Sequence, residues 1–160
     1  MLRPLLPGLL ALLVFAGCAA PGEHAAPLRQ ALLGLGERAA EQVREVAALQ
    51  PLERQVLLLS APEVDAALSL ETERVRESLT RALLALIPGP QILDWRPGVA
   101  GEVGGHQWRL ASRLEATAPP LALSDRELLP YRLTLTLLRP GDGEAVWQTR
   151  LEGAFDATAL

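Results

Sequence analysis

The chain has 160 residues, of which 49% are hydrophobic and 21% are charged, and its formal net charge is −4 at pH 7. This length suits one domain of roughly 100 residues with a tail, because domains usually contain about 100–150 residues. The acidic balance, which grows once a leader containing Arg3 is removed, supplies no positive field for phosphate backbones. We therefore expect a single domain and no nucleic-acid partner.

Residues 1–17 have the features of a secretory signal peptide. Arg3 supplies a positive charge, an apolar run extends from Leu9 to Ala16, and small residues precede Cys18. The apolar run is shorter than the ~20 residues that a permanent transmembrane helix needs. The sequence therefore predicts an exported protein whose leader is removed.

The segment Phe15-Ala16-Gly17-Cys18 resembles the lipobox of bacterial lipoproteins, with Phe15 in place of the usual aliphatic residue. This resemblance implies a diacylglycerol on Cys18, cleavage before it, and acylation of the new amine. The alternative is a buried structural cysteine, although a single cysteine cannot form an internal disulfide. Ala19, where inner-membrane lipoproteins have Asp, resembles the signal for the outer membrane.

A tether and an amphipathic helix follow the leader. Residues 18–27 are small and contain Pro and Gly, which predicts a flexible segment. Residues 28–50 have apolar side chains every three or four positions, which predicts a helix. Gly34 and Gly36 make its first turns doubtful, because each costs up to about 1 kcal/mol relative to Ala. This helix either packs on the domain or stands free for a partner or a membrane surface.

Residues 55–160 predict an α/β domain. The apolar run 55–60 predicts a buried strand, residues 70–87 a helix capped by Ser69, and 91–95 a second strand parallel to the first. Alternating patterns predict three more strands, at 108–116, 131–138 and 145–155. In the last strand four side chains are expected to face the core: Ala145, Trp147, Leu151 and Phe155.

The fold class that these elements predict is one two-layer α/β domain. It has a mixed sheet of about five strands, one main helix and the N-terminal helix beside it. Two irregular inserts, at 96–107 and 117–130, interrupt the pattern with Gly and Pro.

The sequence contains no motif for a catalytic or metal site. Phosphate-binding loops, paired Cys or His ligands and the Gly-x-Ser-x-Gly elbow are missing. Asp94 ends a parallel strand, where ligands of α/β sheets often bind, but capping the next turn is the commoner role for such a residue. We therefore expect no enzyme activity, no cofactor, no metal and no small-molecule substrate.

The two inserts supply the candidate residues for binding a partner. Trp95 and Trp108 bracket the first insert, with Arg96 and His106 immediately inside them, and Arg126 lies in the second. Aromatic and arginine side chains are over-represented at interface hot spots, although core Trp is the commoner case. Arg96, His106 and Arg126 are the accessible candidates.

Four segments together resemble the LpoB-type lipoproteins that activate penicillin-binding proteins, and their relatives in the CsgG and FlgO group. The segments are 56–60, 78–83, 91–95 and 133–147, and the last contains the Gly-Glu-x-x-Trp pattern typical of the closing hairpin, here Gly143, Glu144 and Trp147. The resemblance implies a non-catalytic outer-membrane lipoprotein that stimulates a bifunctional penicillin-binding protein, which is a peptidoglycan synthase. The family's second helix, after the second strand, is replaced here by the short Gly-rich insert.

The distance that the domain can extend from the membrane distinguishes this function from an alternative one. An extended tether gives about 30 Å, and the helix at 28–50 adds roughly 35 Å only if it stands free. Crossing the periplasm therefore needs an undocked helix. A structural or assembly lipoprotein of a flagellar or secretion apparatus would act at the membrane and need no such reach.

Overall fold

A computed structural model describes residues 25–97, 105–139 and 143–157, and these ranges contain two α-helices and seven strands. The predicted leader and Cys18 lie outside them. The helices are α1 (Ala25–Arg44) and α2 (Thr72–Leu84). The strands are β1 (Val56–Leu59), β2 (Glu63–Val64), β3 (Gln91–Asp94), β4 (Gln107–Ala116), β5 (Leu121–Ala122), β6 (Glu127–Leu138) and β7 (Ala145–Asp156).

The seven described strands fill five positions of one mixed sheet. The positions run β3, β1, β4, β6, β7; β2 continues the line of β1 alongside β4, and β5 continues the line of β4 alongside β6. The strand β1 is parallel to β3 and β4, whereas β6 is antiparallel to β4 and β7. This confirms the predicted fold class, a single α/β domain. The second insert is less irregular than predicted, because β5 and the start of β6 lie within it.

The predicted helix at 70–87 is shorter in the structure. It begins at Thr72, with Glu71 at the N-cap, and Ser69 instead ends a preceding 3-10 helix with a left-handed φ of 52°. The prediction that Ser69 caps α2 was therefore wrong. Asp65 has the capping role one element earlier, where its side chain accepts a hydrogen bond from the backbone N–H of Ala67 at 2.9 Å.

The two helices cover one face of the sheet, and the core is the layer of aliphatic side chains between the helices and the sheet. Along each long strand, residues on the covered face alternate with residues on the accessible face. In β6, for example, every second residue from Tyr131 onward is buried. Fully buried members of this layer include Leu57, Leu114, Leu133, Leu135 and Leu137. The opposite face is accessible and carries mainly Arg, Glu and Thr from the long strands.

The N-terminal helix is docked on the domain, which resolves the alternative left open by its sequence. Leu32, Leu35 and Val43 of α1 are at most 4% exposed. On β7, Thr149 Oγ1 donates a hydrogen bond to Gln42 Oε1 at 3.3 Å, and Arg38 Nη1 donates to the carbonyl oxygen of Glu152 at 3.3 Å. The helix ends at Arg44 rather than before Pro51, and the buried Leu49 follows in a separate 3-10 turn.

The closest approach of α1 to α2 depends on Gly36. A Cβ at this position would lie 2.7 Å from both the carbonyl oxygen and the hydroxyl of Ser78. The same hydroxyl donates a hydrogen bond to the carbonyl oxygen of Leu32, which ties the two helices together. Gly36, which weakens the sequence signal for a helix, therefore permits α1 to pack against α2.

Trp147 faces the core but is only half-buried. It lies on the edge strand β7, and the hydrogen bonds between this strand and α1 are made by later residues, Thr149 and Glu152. The aromatic residue that the core of β7 does bury is Phe155, whose ring stacks on Tyr131 with centroids 4.2 Å apart. Leu151 is half-buried and Ala145 is exposed, so Phe155 alone of the four predicted core residues of β7 is fully buried.

Replacing Gly36 by Ala should lower the free energy of unfolding by about 1–3 kcal/mol, because the new methyl group overpacks the contact with Ser78. Gly34 is the matched control on the same helix, since a Cβ there meets nothing within 4 Å. Gly34→Ala should be neutral or stabilise by up to about 1 kcal/mol. Urea unfolding of both variants measures the difference, and equal midpoints would contradict the packing of α1 described above.

Candidate interaction surfaces

The sheet has two outer edges among the described strands, and they differ in character. The strand β7 pairs only with β6, and β3 pairs only with β1. An unpaired edge presents backbone N–H and C=O groups to which another strand can bind. Which edge is open to a partner depends on the side chains that surround it.

The β7 edge is protected against pairing with another strand. Arg38 donates a hydrogen bond to the Glu152 carbonyl oxygen, and the Arg132 guanidinium pairs with the Glu152 carboxylate at 2.8 Å. Gln148 and Arg150 are also exposed along this strand. Charged side chains and a capped carbonyl group oppose the addition of another strand.

The β3 edge carries exposed aliphatic side chains beside a charged groove. Leu93 lies on β3 itself and is 45% exposed. Ile87 and Leu84 lie just before the strand, at the end of α2, and are 95% and 61% exposed. Exposed aliphatic side chains near an edge with no further strand among the described residues make the β3 edge, and not the β7 edge, the candidate surface for a protein partner.

Trp95 continues this surface onto the open face of the sheet. Its backbone N–H donates a hydrogen bond to the Leu59 carbonyl oxygen at 2.8 Å, which extends the pairing of β3 with β1. The Arg109 guanidinium lies over the indole ring, 4.9 Å from the ring centroid. Arg109 and Leu93 flank Leu58 in the register of the sheet, so all three side chains occupy the open face beside Trp95.

Trp108 lies on the opposite face of the sheet. It is opposite Leu57, which is fully buried, and its Nε1 donates a hydrogen bond to Gln55 Oε1 at 3.0 Å. The two tryptophans that bracket the first insert therefore do not form one patch. Trp95 lies on the open face beneath Arg109, whereas Trp108 packs against the core.

The three predicted partner-binding residues are all exposed, but the structure does not bring them together. Arg96 directly follows Trp95 at the β3 edge, and the His106 carbonyl oxygen accepts a hydrogen bond from the Val56 N–H at 2.8 Å, at the start of β1. Arg126 lies beyond the other end of β4, which is about 30 Å long at ~3.3 Å per residue. The partner-binding role of each residue stays a prediction.

Charged side chains form local pairs around these positions. Arg126 pairs with Asp125 at 2.9 Å, and the hydrogen bond from Arg126 lowers the pKa of the Asp125 carboxyl. Asp94 pairs with Arg76 of α2 at 3.2 Å. The pKa of the Arg76 guanidinium is raised, first by its hydrogen bond to Glu73 and further by the negative charge of Asp94. Asp94 therefore links β3 to α2 rather than capping the next turn.

Two shallow grooves flank the outer surface of α2. One, of about 440 Å³, lies between α2 and the β3 edge and is lined by charged residues together with Leu84 and Thr80. The other, of about 460 Å³, lies between α2 and the start of α1, with Leu28 and Leu32 at its base. In the described ranges we find no cluster of three or more possible metal ligands.

Neither α1 nor α2, nor any shorter helix within the described ranges, is long and apolar enough to span a membrane.

Several solved structures of bacterial proteins are similar to this chain. The LpoB C-terminal domain from Escherichia coli is 14% identical, with a TM-score of 0.49 over 76% of this chain and 97% of that one. Protein XCC0632 from Xanthomonas campestris is 13% identical, with a TM-score of 0.48 over 66% and 68%. Lipoprotein GNA1162 from Neisseria meningitidis is 12% identical, with a TM-score of 0.46 over 64% and 84%.

No family model and no curated protein matches the chain. The structural similarities above come with identities of at most 14%, so the names describe those proteins and assign no activity or partner to this one.

The sequence alone did not identify Leu93 and Arg109 as residues beside Trp95, or Leu84 and Ile87 as exposed. The period of two along β3 places Leu93 and Trp95 on one face, and this signal was present in the sequence. What the sequence lacked was the identity of β3 as an edge strand. Only the order of the strands shows that β1, and not β3, occupies the inner position.

The two tryptophans should respond differently to replacement by Phe. Trp108→Phe removes the donor to Gln55, which is 5% exposed, and should cost about 1–3 kcal/mol of unfolding free energy. Trp95→Phe keeps an aromatic ring beneath Arg109 and should change stability by no more than about 0.5 kcal/mol. Urea denaturation followed by circular dichroism measures both, and a larger loss for Trp95 would reverse the assignment of faces.

Proposed function

We propose that this chain is a lipid-anchored, non-catalytic binding module that docks a periplasmic protein at the β3 edge. The observation that carries the proposal is that β3 pairs only with β1 among the described strands, with Leu93 exposed on the strand and Ile87 exposed shortly before it in the chain. An extended segment of a partner can add to such an edge through backbone hydrogen bonds. Its alternate side chains would then contact the groove along α2 on one face and Trp95 on the other.

The Trp95 side of this surface would supply the anchor for specificity. An aromatic ring covered by a guanidinium offers both a large apolar area and charge, the combination found at interface hot spots. Arg96 follows Trp95 directly and adds a second exposed cation. Of the residues named from the sequence, Arg96 is therefore the one most closely associated with this surface.

The partner in this proposal is a class A penicillin-binding protein, which the module would stimulate without turning over a substrate. Support comes from the LpoB-type resemblance of the closing hairpin at 133–147 and from the lipobox that ends at Cys18. The anchor would hold the domain on the periplasmic face of the outer membrane, because Ala19 rather than Asp follows the cysteine.

Cys18→Ser should abolish fatty-acid labelling and move the protein into the soluble fraction. A lipid anchor with several acyl chains holds a protein almost permanently, since each buried CH₂ contributes about 0.8 kcal/mol. Metabolic labelling with a fatty acid, followed by fractionation, measures both effects. Unchanged membrane association of the variant would contradict the lipidation of Cys18.

Binding should depend on the β3 edge. Leu93→Asp and Ile87→Asp should each weaken association with the purified synthase about tenfold or more, the loss expected for a hot-spot residue at ~1.4 kcal/mol per factor of ten. Leu121→Asp is the matched control, because Leu121 is similarly exposed, at 51%, but lies at another part of the sheet. Peptidoglycan synthesis is measured with and without residues 19–160. No binding and no change in rate would remove the synthase as the partner.

The docked position of α1 favours a second candidate, an assembly lipoprotein of a flagellar or secretion apparatus. With α1 packed on the domain, only the stretch from Cys18 to Ala25 separates the anchor from the fold, about 25 Å when fully extended. A protein that acts beside its own membrane needs no greater reach. Its β3 edge would then pair with another copy or with a neighbouring component of the apparatus.

Oligomeric state distinguishes the two candidates. An activator that keeps its β3 edge free for a synthase should sediment as a monomer, whereas an assembly component should self-associate. Sedimentation velocity of residues 19–160 over a range of concentrations measures this. If self-association is seen, Leu93→Asp should abolish it while Leu121→Asp leaves it intact.

A further inference from the structure

The end of the domain from which the tether leaves can be identified from the contacts of α1. Arg38 contacts Glu152 and Gln42 contacts Thr149, so α1 runs antiparallel to β7. A helix rises 1.5 Å per residue and a strand about 3.3 Å. The start of α1, around Leu28, is therefore level with the C-terminal end of β7.

The short strand β5 lies at this same end. Asp156 of β7 is opposite Leu128 of β6, and Leu128 is opposite Leu121 of β5. The hairpin that joins β5 to β6 thus projects from the end of the sheet at which α1 begins. We call residues 117–126 the hairpin tip.

The hairpin tip has an apolar surface that the core does not use. Leu121 lies on β5 and Leu123 directly follows the strand, and their side chains are 51% and 52% exposed. The Leu123 N–H donates a hydrogen bond to the Arg126 carbonyl oxygen at 2.8 Å, which closes the tip. Pro119 and Pro120 precede the leucines and are exposed as well.

Charge at the hairpin tip is balanced. Arg126 pairs with Asp125, and Glu127 is the next residue along the chain. The tip therefore offers no net positive charge to anionic lipids. Its affinity for a surface must come from the two leucines.

We propose that the hairpin tip rests on the membrane that holds the anchor, with Leu121 and Leu123 inserted among the phospholipid headgroups. The inference rests on the proposed lipid anchor at Cys18. Seven peptide units from Cys18 to Ala25 keep the start of α1 within about 25 Å of the bilayer surface. The hairpin tip lies at the same end of the domain. The lipid anchor would therefore hold the hairpin tip close to the membrane surface.

The orientation leaves the β3 edge accessible. The strand β3 pairs with β1 alongside the first half of β4, whereas the hairpin tip lies beyond the last residue of β4. Lipid contact at the tip and partner contact at β3 therefore use separate parts of the molecule.

Photo-crosslinking tests the contact directly. Residues 18–160 are coupled through the Cys18 thiol to a maleimide phospholipid in phosphatidylethanolamine vesicles, so that the anchor is imposed chemically. A photoreactive amino acid replaces Leu123 in one sample and Ile87 in the matched control, which is the exposed aliphatic residue at the β3 edge. Mass spectrometry counts the chains that carry a phospholipid adduct.

We expect several-fold more phospholipid adduct at position 123 than at position 87. Leu121→Asp should lower the adduct at position 123 several-fold, whereas Leu84→Asp should leave it unchanged. Raising the salt concentration should have little effect, because the contact is apolar. Equal adducts at the two positions, or no response to Leu121→Asp, would overturn the inference. Because the anchor is imposed, these outcomes are independent of whether the cell acylates Cys18, which fatty-acid labelling decides.

Discussion

Burial of one apolar sheet face beneath two helices is the constraint on which the rest of the structure depends. The helix α2 has 13 residues, about 20 Å in length, and it packs beside the parallel strands β1 and β3. It cannot also cover β6 and β7, whose leucines would remain in water. The helix α1 covers them, and Gly36 lets it approach Ser78 closely enough to close the layer.

This constraint bears directly on function. A free α1 would give the protein a longer reach from the proposed lipid anchor, but undocking it would expose Leu32, Leu35 and Val43 together with the sheet residues beneath them. Each of these side chains contributes about 1.5–3 kcal/mol through burial. The docked helix is therefore the stable arrangement. If Cys18 carries the proposed lipid anchor, the domain stays near that membrane, and a partner must come to the membrane or extend a segment toward it.

Much of this fold follows from periodicity in the sequence. The spacing of Leu28, Leu32 and Leu35 predicts α1, and alternation predicts the long strands, because each pattern reports one buried face. The two-residue strands β2 and β5 have no period to detect. The surface beside Trp95 was missed for another reason: the pairing order that makes β3 an edge is a long-range property, which no local pattern contains.

The same limit explains why the sequence does not separate Trp95 from Trp108. Both residues border the same insert, but β3 and β4 lie on opposite sides of β1. The register places Trp108 beside the buried Leu57, and Arg109, the next residue, opposite Leu58 on the open face. Trp108 and Arg109 are therefore adjacent residues on opposite faces of the sheet: Trp108 packs toward the core, and Arg109 covers the ring of Trp95.

A fixed orientation at the membrane would connect the two proposed surfaces. With the hairpin tip on the bilayer, the long strands stand away from it and β3 presents its free edge sideways. A partner segment paired with β3 would then run along the direction that separates the two membranes. An extended chain covers about 3.3 Å per residue in that direction, so the reach that the short tether lacks would be supplied by the partner. Holding the domain in one orientation also removes rotational freedom before binding, which lowers the entropic cost of forming the complex.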